Sequence, residues 1–217
     1  MIGMNIGIIV FALVCVFHII VLLLDKENLR RISKCLIIPS LLAVYITGDR
    51  NKTLFVVIAL VFGWLGDVLL IKIEKKVFFI LGLGSFLLGH ICYGIVFIQI
   101  LGSPNAVNLP AALIFSVPSI VCAVMVFRLI KPDREMFAPV VLYMIILVSM
   151  NLLGLQVFLS NPCTAGLLVL SGCFCFMVSD TILAYYTFRK LKLFGSVLIM
   201  FTYILAQAEI VFGLMSL

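Results

Sequence analysis

Eight apolar runs, most of them about as long as a helix needs to cross a bilayer, take up nearly all of the 217 residues, at 4–24, 34–48, 53–71, 77–101, 109–130, 136–159, 164–188 and 193–216. A hydrocarbon core about 30 Å thick is spanned by about 20 helical residues. Only short stretches marked by charges, Pro or Gly remain between the runs. The pattern predicts an all-α integral membrane protein of eight transmembrane helices, a single polytopic domain over 1–217 with no room for a soluble one. The second run is short, and Pro39 within it predicts a kink or tilt. The first run has no basic stretch before it and no small-x-small site after it, so it reads as a retained span and not as a cleaved signal. Composition agrees: 65% hydrophobic, 11% charged and a mean hydropathy of +1.36 leave too little polar surface for a soluble fold.

The charges orient the spans. Thirteen of the fifteen Lys and Arg fall in the loops after runs one, three, five and seven, from Lys26, Arg30, Arg31 and Lys34 to Arg189, Lys190 and Lys192; only Arg50 and Lys52 fall on the other side. The positive-inside rule then places those loops in the cytoplasm and both termini outside. The net charge of +6 is accounted for by topology, and no nucleic-acid partner is needed. The seven Cys are scattered, mostly inside apolar runs, and read as small hydrophobes. Asn51-Lys52-Thr53 is a glycosylation sequon on the outer side, set close to the membrane.

Two acids break the apolar runs. Asp67, in "FGWLGDVLL", lies five residues before Lys72, and Asp180, in "SGCFCFMVSDTILAYY", lies nine before Arg189. At 1.5 Å per residue they sit about 7.5 and about 13.5 Å inside the cytoplasmic boundary. An Asp near a bilayer centre costs about 2.5 to 3.5 kcal/mol on insertion scales and faces protein or a water-filled cavity. Two at comparable depth can share one cavity if the third and seventh spans are neighbours. Ala59, Gly63 and Gly66 lie on or beside the face of Asp67 and permit close approach of a helix or a lipid. An offset of 113 residues lays Asp67 on Asp180, compatible with a parallel four-plus-four duplication. Glu209 stands toward the outer face, about 200° around its helix from Gln207, so the two do not share one narrow cavity.

His90 lies mid-span with Phe86, Tyr93 and Gly94 on its face, suited to packing, to tuning a carboxylate or to holding a phosphate. No HExxH or similar spacing points to a metal, and no cofactor is called for. A GxSxG elbow and a P-loop are absent, which removes the usual signals of serine hydrolases and nucleotide enzymes.

Taken in order, the GD of Gly66-Asp67, the series Phe79, Gly82, Phe86, His90 and Tyr93, the SD of Ser179-Asp180 and the "YILAQ" of Tyr203 to Gln207 resemble the YhhN-type family, which includes the transmembrane lysoplasmalogenases. The likeness covers nearly the whole chain. One departure is that the family often opens its second helix with adjacent Lys-Pro, whereas here Cys35 follows Lys34 and the proline comes at 39.

The resemblance implies hydrolysis of the vinyl-ether bond of a lysoplasmalogen, a single-chain ether phospholipid, to a fatty aldehyde and glycerophosphocholine or glycerophosphoethanolamine. That chemistry needs a general acid and an anionic partner, roles two carboxyls can divide. Asp180, the deeper, is cast as the protonated acid, and Asp67 as the group that stabilises the cation and activates water. Lys34 or Lys72 would meet the phosphate. Trp64, Tyr93, Tyr143 or Tyr203 would offer a ring face to choline, with Ser179, His90 and Gln207 as further contacts to substrate, acid or water.

Two other classes fit the intramembrane acids less well. A proton-coupled transporter would use them in a repeat, but matched broken helices are missing. An intramembrane aspartyl protease needs GxGD, and Gly63-Trp64-Leu65-Gly66-Asp67 is one residue too long between its glycines. Short loops and compact length suit a bacterial cytoplasmic membrane; in a eukaryote the endoplasmic reticulum would take the same topology.

Overall fold

The computed structural model describes residues 2–48, 52–103, 107–189 and 193–217. Arg50, Asn51 of the sequon, Lys190 and Lys192 lie outside the described residues. The described chain is helical throughout, with no strand. Its helices are α1 (Ile2–Leu23), α2 (Glu27–Gly48), α3 (Leu54–Leu69) with a 3-10 turn at Leu70–Lys72, α4 (Lys76–Leu101), α5 (Leu109–Ile130), α6 (Arg134–Ser160), α7 (Thr164–Arg189) and α8 (Leu193–Ser216).

Among the described residues seven helices, not the expected eight, are long and apolar enough to cross a membrane; α2 is the exception. Its first turns carry Glu27, Arg30, Arg31 and Lys34, so the helix begins seven residues before the apolar run. Charged residues are good helix formers, and Glu27 and Arg31 pair one turn apart, so helix and apolar run need not start together.

The chain divides into two compact units, Met1–Gly89 and His90–Leu217, with the division inside α4. In the first unit α1 and α2 form an antiparallel pair. Asp25 closes α1 in the left-handed region at φ 50, with its N–H on the carbonyl of Leu22 and the N–H of Lys26 on that of Val21. This is a Schellman stop in which Asp replaces the usual Gly. The buried face of α1 is Phe11, His18, Val21 and Leu22, a stripe at helical spacing, and the faces around it are exposed Ile, Val and Leu suited to lipid.

The start of α4 packs on α3 through glycines. A Cβ on Gly66 would lie 2.6 Å from the Phe86 ring, and one on Gly82 would lie 2.7 Å from the Leu70 side chain. Ser85 ties the two helices by donating to the carbonyl of Phe62 at 2.6 Å. The small face beside Asp67 therefore admits the start of α4: a Cβ on Gly89 would lie 3.2 Å from the carbonyl oxygen of Ala59.

The second unit is built on α7. Against α8, Gly172 and Gly213 let backbones touch: an added Cβ would come within 2.9 Å of the Ala206 and Ala165 carbonyl oxygens respectively. Against α6, Gly154 makes room for the Cys173 sulfur. Asn108 caps α5 by accepting from the N–H of Ala111 at 3.0 Å, and the Gln156 side chain accepts from the Asn108 N–H at 2.7 Å.

Candidate functional site

In the first unit Asp67 stands in the last turn of α3, 2% exposed. Lys34 of α2 brings its Nζ to 3.4 Å from Oδ1, with the lysine side chain 18% exposed. A carboxylate taken out of water alone costs several kcal/mol, and an ammonium at this range compensates it. Gly66, immediately before Asp67, is the seat for the Phe86 ring. The GD pair thus joins an acid to the close contact that fixes its helix.

Lys34 is placed by its neighbours in sequence. Pro39 has no N–H, so the carbonyl of Cys35 lacks its normal partner four residues on. The indole N–H of Trp64 donates to that carbonyl at 3.0 Å, pinning α2 to α3 one residue past Lys34. On the other side of Lys34, Ser33 Oγ donates to the carbonyl of Leu29 at 2.8 Å and accepts from Nδ1–H of His18, also at 2.8 Å. Both His18 and Ser33 are fully buried. This tautomer leaves His18 Nε2 as an acceptor with no partner among the described residues.

The second unit holds Asp180 on α7 with its side chain 10% exposed. The Tyr143 hydroxyl, from α6, donates to its Oδ2. His90 Nε2 lies 3.9 Å from the same oxygen, beyond direct hydrogen-bond range. Rings enclose the group: His90 meets Tyr143 and Phe176 edge-on at centroid distances of 5.4 and 4.5 Å, and Phe176 meets Tyr203 at 5.6 Å. Nearby polar side chains are hydrogen-bonded within the protein. Tyr93 donates to Gln207 Oε1 at 2.8 Å, and Ser179 donates to the carbonyl of Ile199 at 3.0 Å.

Each residue expected from the sequence thus has a definite place. Lys34, Trp64 and Asp67 converge in the first unit, and His90, Tyr143, Tyr203 and Asp180 in the second, where Tyr93 with Gln207 and Ser179 make separate contacts. Lys72, the alternative phosphate contact, is exposed, its Nζ 5.3 Å from the centroid of the Phe78 ring. Sequence reasoning did not reach His18, Ser33 or Phe176. His18 carried a readable signal, an imidazole in the middle of an apolar run, whereas Ser33 and Phe176 carried none. Among the described residues no three His, Cys, Asp or Glu are grouped to hold a metal ion.

Chemically, the first cluster offers a carboxylate beside a cation, and the second a carboxyl held at one oxygen by a neutral hydroxyl inside an aromatic enclosure. No curated protein and no solved structure shows significant similarity to the chain. The model of the YhhN family matches residues 29–214, most of the sequence, and the chain belongs to that family.

Proposed function

We propose that this YhhN-family chain is a lysoplasmalogenase that hydrolyses the vinyl ether of a single-chain alkenyl glycerophospholipid, with Asp180 as general acid and Asp67 as its anionic counterpart. The observation that carries the reading is that the two buried carboxyls face partners of different charge, an ammonium at Asp67 and a phenol at Asp180. Asp180 can be neutral while Oδ2 accepts from Tyr143, which leaves Oδ1 to carry a proton.

Vinyl-ether hydrolysis uses both states. The acid proton goes to the β-carbon and leaves an oxocarbenium ion. Water adds to the cation and gives its proton to the carboxylate, forming a hemiacetal. On collapse the hemiacetal hydroxyl returns a proton to Asp180, and the proton on Asp67 goes to the departing glycerol oxygen, so both groups end as they began. In this reading the loops rich in Lys and Arg face the cytoplasm and the lipid enters from that leaflet.

The test is fatty-aldehyde release from alkenyl-lysophosphatidylethanolamine by purified protein. Asp180→Asn and Asp67→Asn are each expected to lower turnover by about a hundredfold or more, the usual contribution of general acid–base catalysis. Turnover within about threefold of wild type in either folded variant would remove that residue from the chemistry. No release from folded wild type, with solute accumulation in proteoliposomes, would replace hydrolysis by transport.

A further inference from the structure

The family resemblance offers Lys34 or Lys72 to the substrate's phosphate, whereas the surroundings of Lys34 give it another task. Three successive residues of α2 are each tied to a different partner. Ser33 is bonded to His18 of α1, Lys34 is paired with Asp67, and the Cys35 carbonyl takes the Trp64 indole N–H. Lys34 is held between two side-chain clamps on the backbone that carries it, and its ammonium faces a carboxylate that is 2% exposed.

Moving that ammonium to a phosphate would take from a buried acid the cation 3.4 Å from its Oδ1, an exchange unfavourable before any new contact is made. Rim cations are better placed for the headgroup. Among the described Lys and Arg of the first unit, all but Arg30 and Lys34 are exposed. A phosphate met by exposed side chains costs no buried pair.

We infer that Lys34 is a positioning residue for Asp67 and not the anchor of the substrate's phosphate. It favours the charged form of the carboxylate and sets its direction, and the Ser33–His18 and Cys35–Trp64 contacts fix Lys34. The catalytic part of this inference rests on the proposed hydrolase reading, but the pairing and the binding claim do not.

The experiment compares Lys34→Met, Lys34→Arg and Lys34→Met with Asp67→Asn. Binding is measured with 1-O-alkyl-lysophosphatidylethanolamine, a saturated ether with the same headgroup and no vinyl bond to cleave. All three variants are expected to bind it within about threefold of wild type, whereas loss of a charge-assisted phosphate contact weakens binding by about tenfold or more. Turnover of the alkenyl substrate is expected to fall in Lys34→Met through kcat with little change in KM, and to be partly restored in Lys34→Arg.

Thermal midpoints give a readout independent of activity. Lys34→Met alone leaves Asp67 buried without its cation, so the double variant is expected to be more stable than Lys34→Met. Additive midpoints, or tenfold weaker analogue binding with kcat preserved, would overturn the inference. If wild type releases no aldehyde, the hydrolase reading falls while midpoints and analogue binding still decide what Lys34 does. Should Lys34→Met fail to fold, Lys34→Arg and the double variant carry the binding comparison.

Discussion

Asp67 and Asp180 are both acids in apolar helices, yet the first unit answers its acid with an ammonium and the second with a tyrosine hydroxyl among aromatic rings. The charged answer needs a helix with one end outside the apolar layer, and α2 supplies it: four of its first eight residues are charged, and Lys34 reaches inward from that segment. The neutral answer needs no such helix. Tyr143 lies in the interior of α6, between apolar neighbours, and its hydroxyl bonds Asp180 without adding charge. An ion pair favours the ionised form of a carboxylate, whereas a hydroxyl fixes its direction without adding charge. A chain that needs an acid and a base in one medium can separate them in this way.

The sharpest way to break this contrast is to remove each partner. Lys34→Met leaves a buried carboxylate without its cation and is expected to cost about 3–5 kcal/mol of stability, the range seen when one member of a buried pair is deleted. Tyr143→Phe removes one hydrogen bond and keeps the ring, at an expected cost of about 1–3 kcal/mol. Denaturation midpoints of the two variants in one detergent check the order. Equal losses would mean that Asp180 depends on a charge as Asp67 does.

The order of these effects bears on what a sequence can convey. Seven of the eight apolar runs match helices α1 and α3 to α8 to within about two residues, because a bilayer-length apolar stretch has few other ways to satisfy its backbone. The α2 boundary was not legible. Hydropathy marks where a span ends, while a helix continues through Arg and Lys at little cost. The two acids were legible as rare charges in apolar surroundings, but their partners were not. Lys34 lies 33 positions before Asp67, and Tyr143 lies 37 before Asp180. Neither separation is a helical period, so only tertiary packing can join them. The glycines lie between these cases. Gly66 reads correctly as a small residue for a close contact, but its partner emerges only when Phe86 is seen on it, and Gly82, present in the sequence only as part of the family series, shows its role only with Leu70 against it.

That packing sets the next test, since it belongs to the Asp67 cluster alone. Gly66→Ala puts a methyl 2.6 Å from the Phe86 ring. It is expected to cost about 1–3 kcal/mol, as overpacking does, and to be relieved in part by Phe86→Leu. At the matching position beside Asp180, Ser179→Ala adds no bulk and removes only the bond to the Ile199 carbonyl, at about 1 kcal/mol. Thermal unfolding of the three variants compares a seat defined by shape with one defined by a hydrogen bond. Similar losses for Gly66→Ala and Ser179→Ala would mean that the ring moves aside easily.

The smallest expected effect isolates the clamp beside Lys34. Trp64→Phe keeps an aromatic ring but removes the donor to the Cys35 carbonyl, and a net loss of about 0.5–1.5 kcal/mol is expected. That carbonyl is open to Trp64 because Pro39, four residues on, has no N–H to give it. Pro39→Ala restores the missing donor within α2 itself. The expectation is therefore specific: Pro39→Ala added to Trp64→Phe recovers most of the lost stability, because the carbonyl regains a partner. A double variant no more stable than Trp64→Phe would show that the indole holds α2 by packing and not by its hydrogen bond. The same pair also separates stability from alignment. If the indole bond also sets where Lys34 points, Pro39→Ala recovers most of the midpoint without restoring the direction of the ammonium, so the aldehyde release expected from the proposed function stays below wild type in a protein whose stability is largely regained.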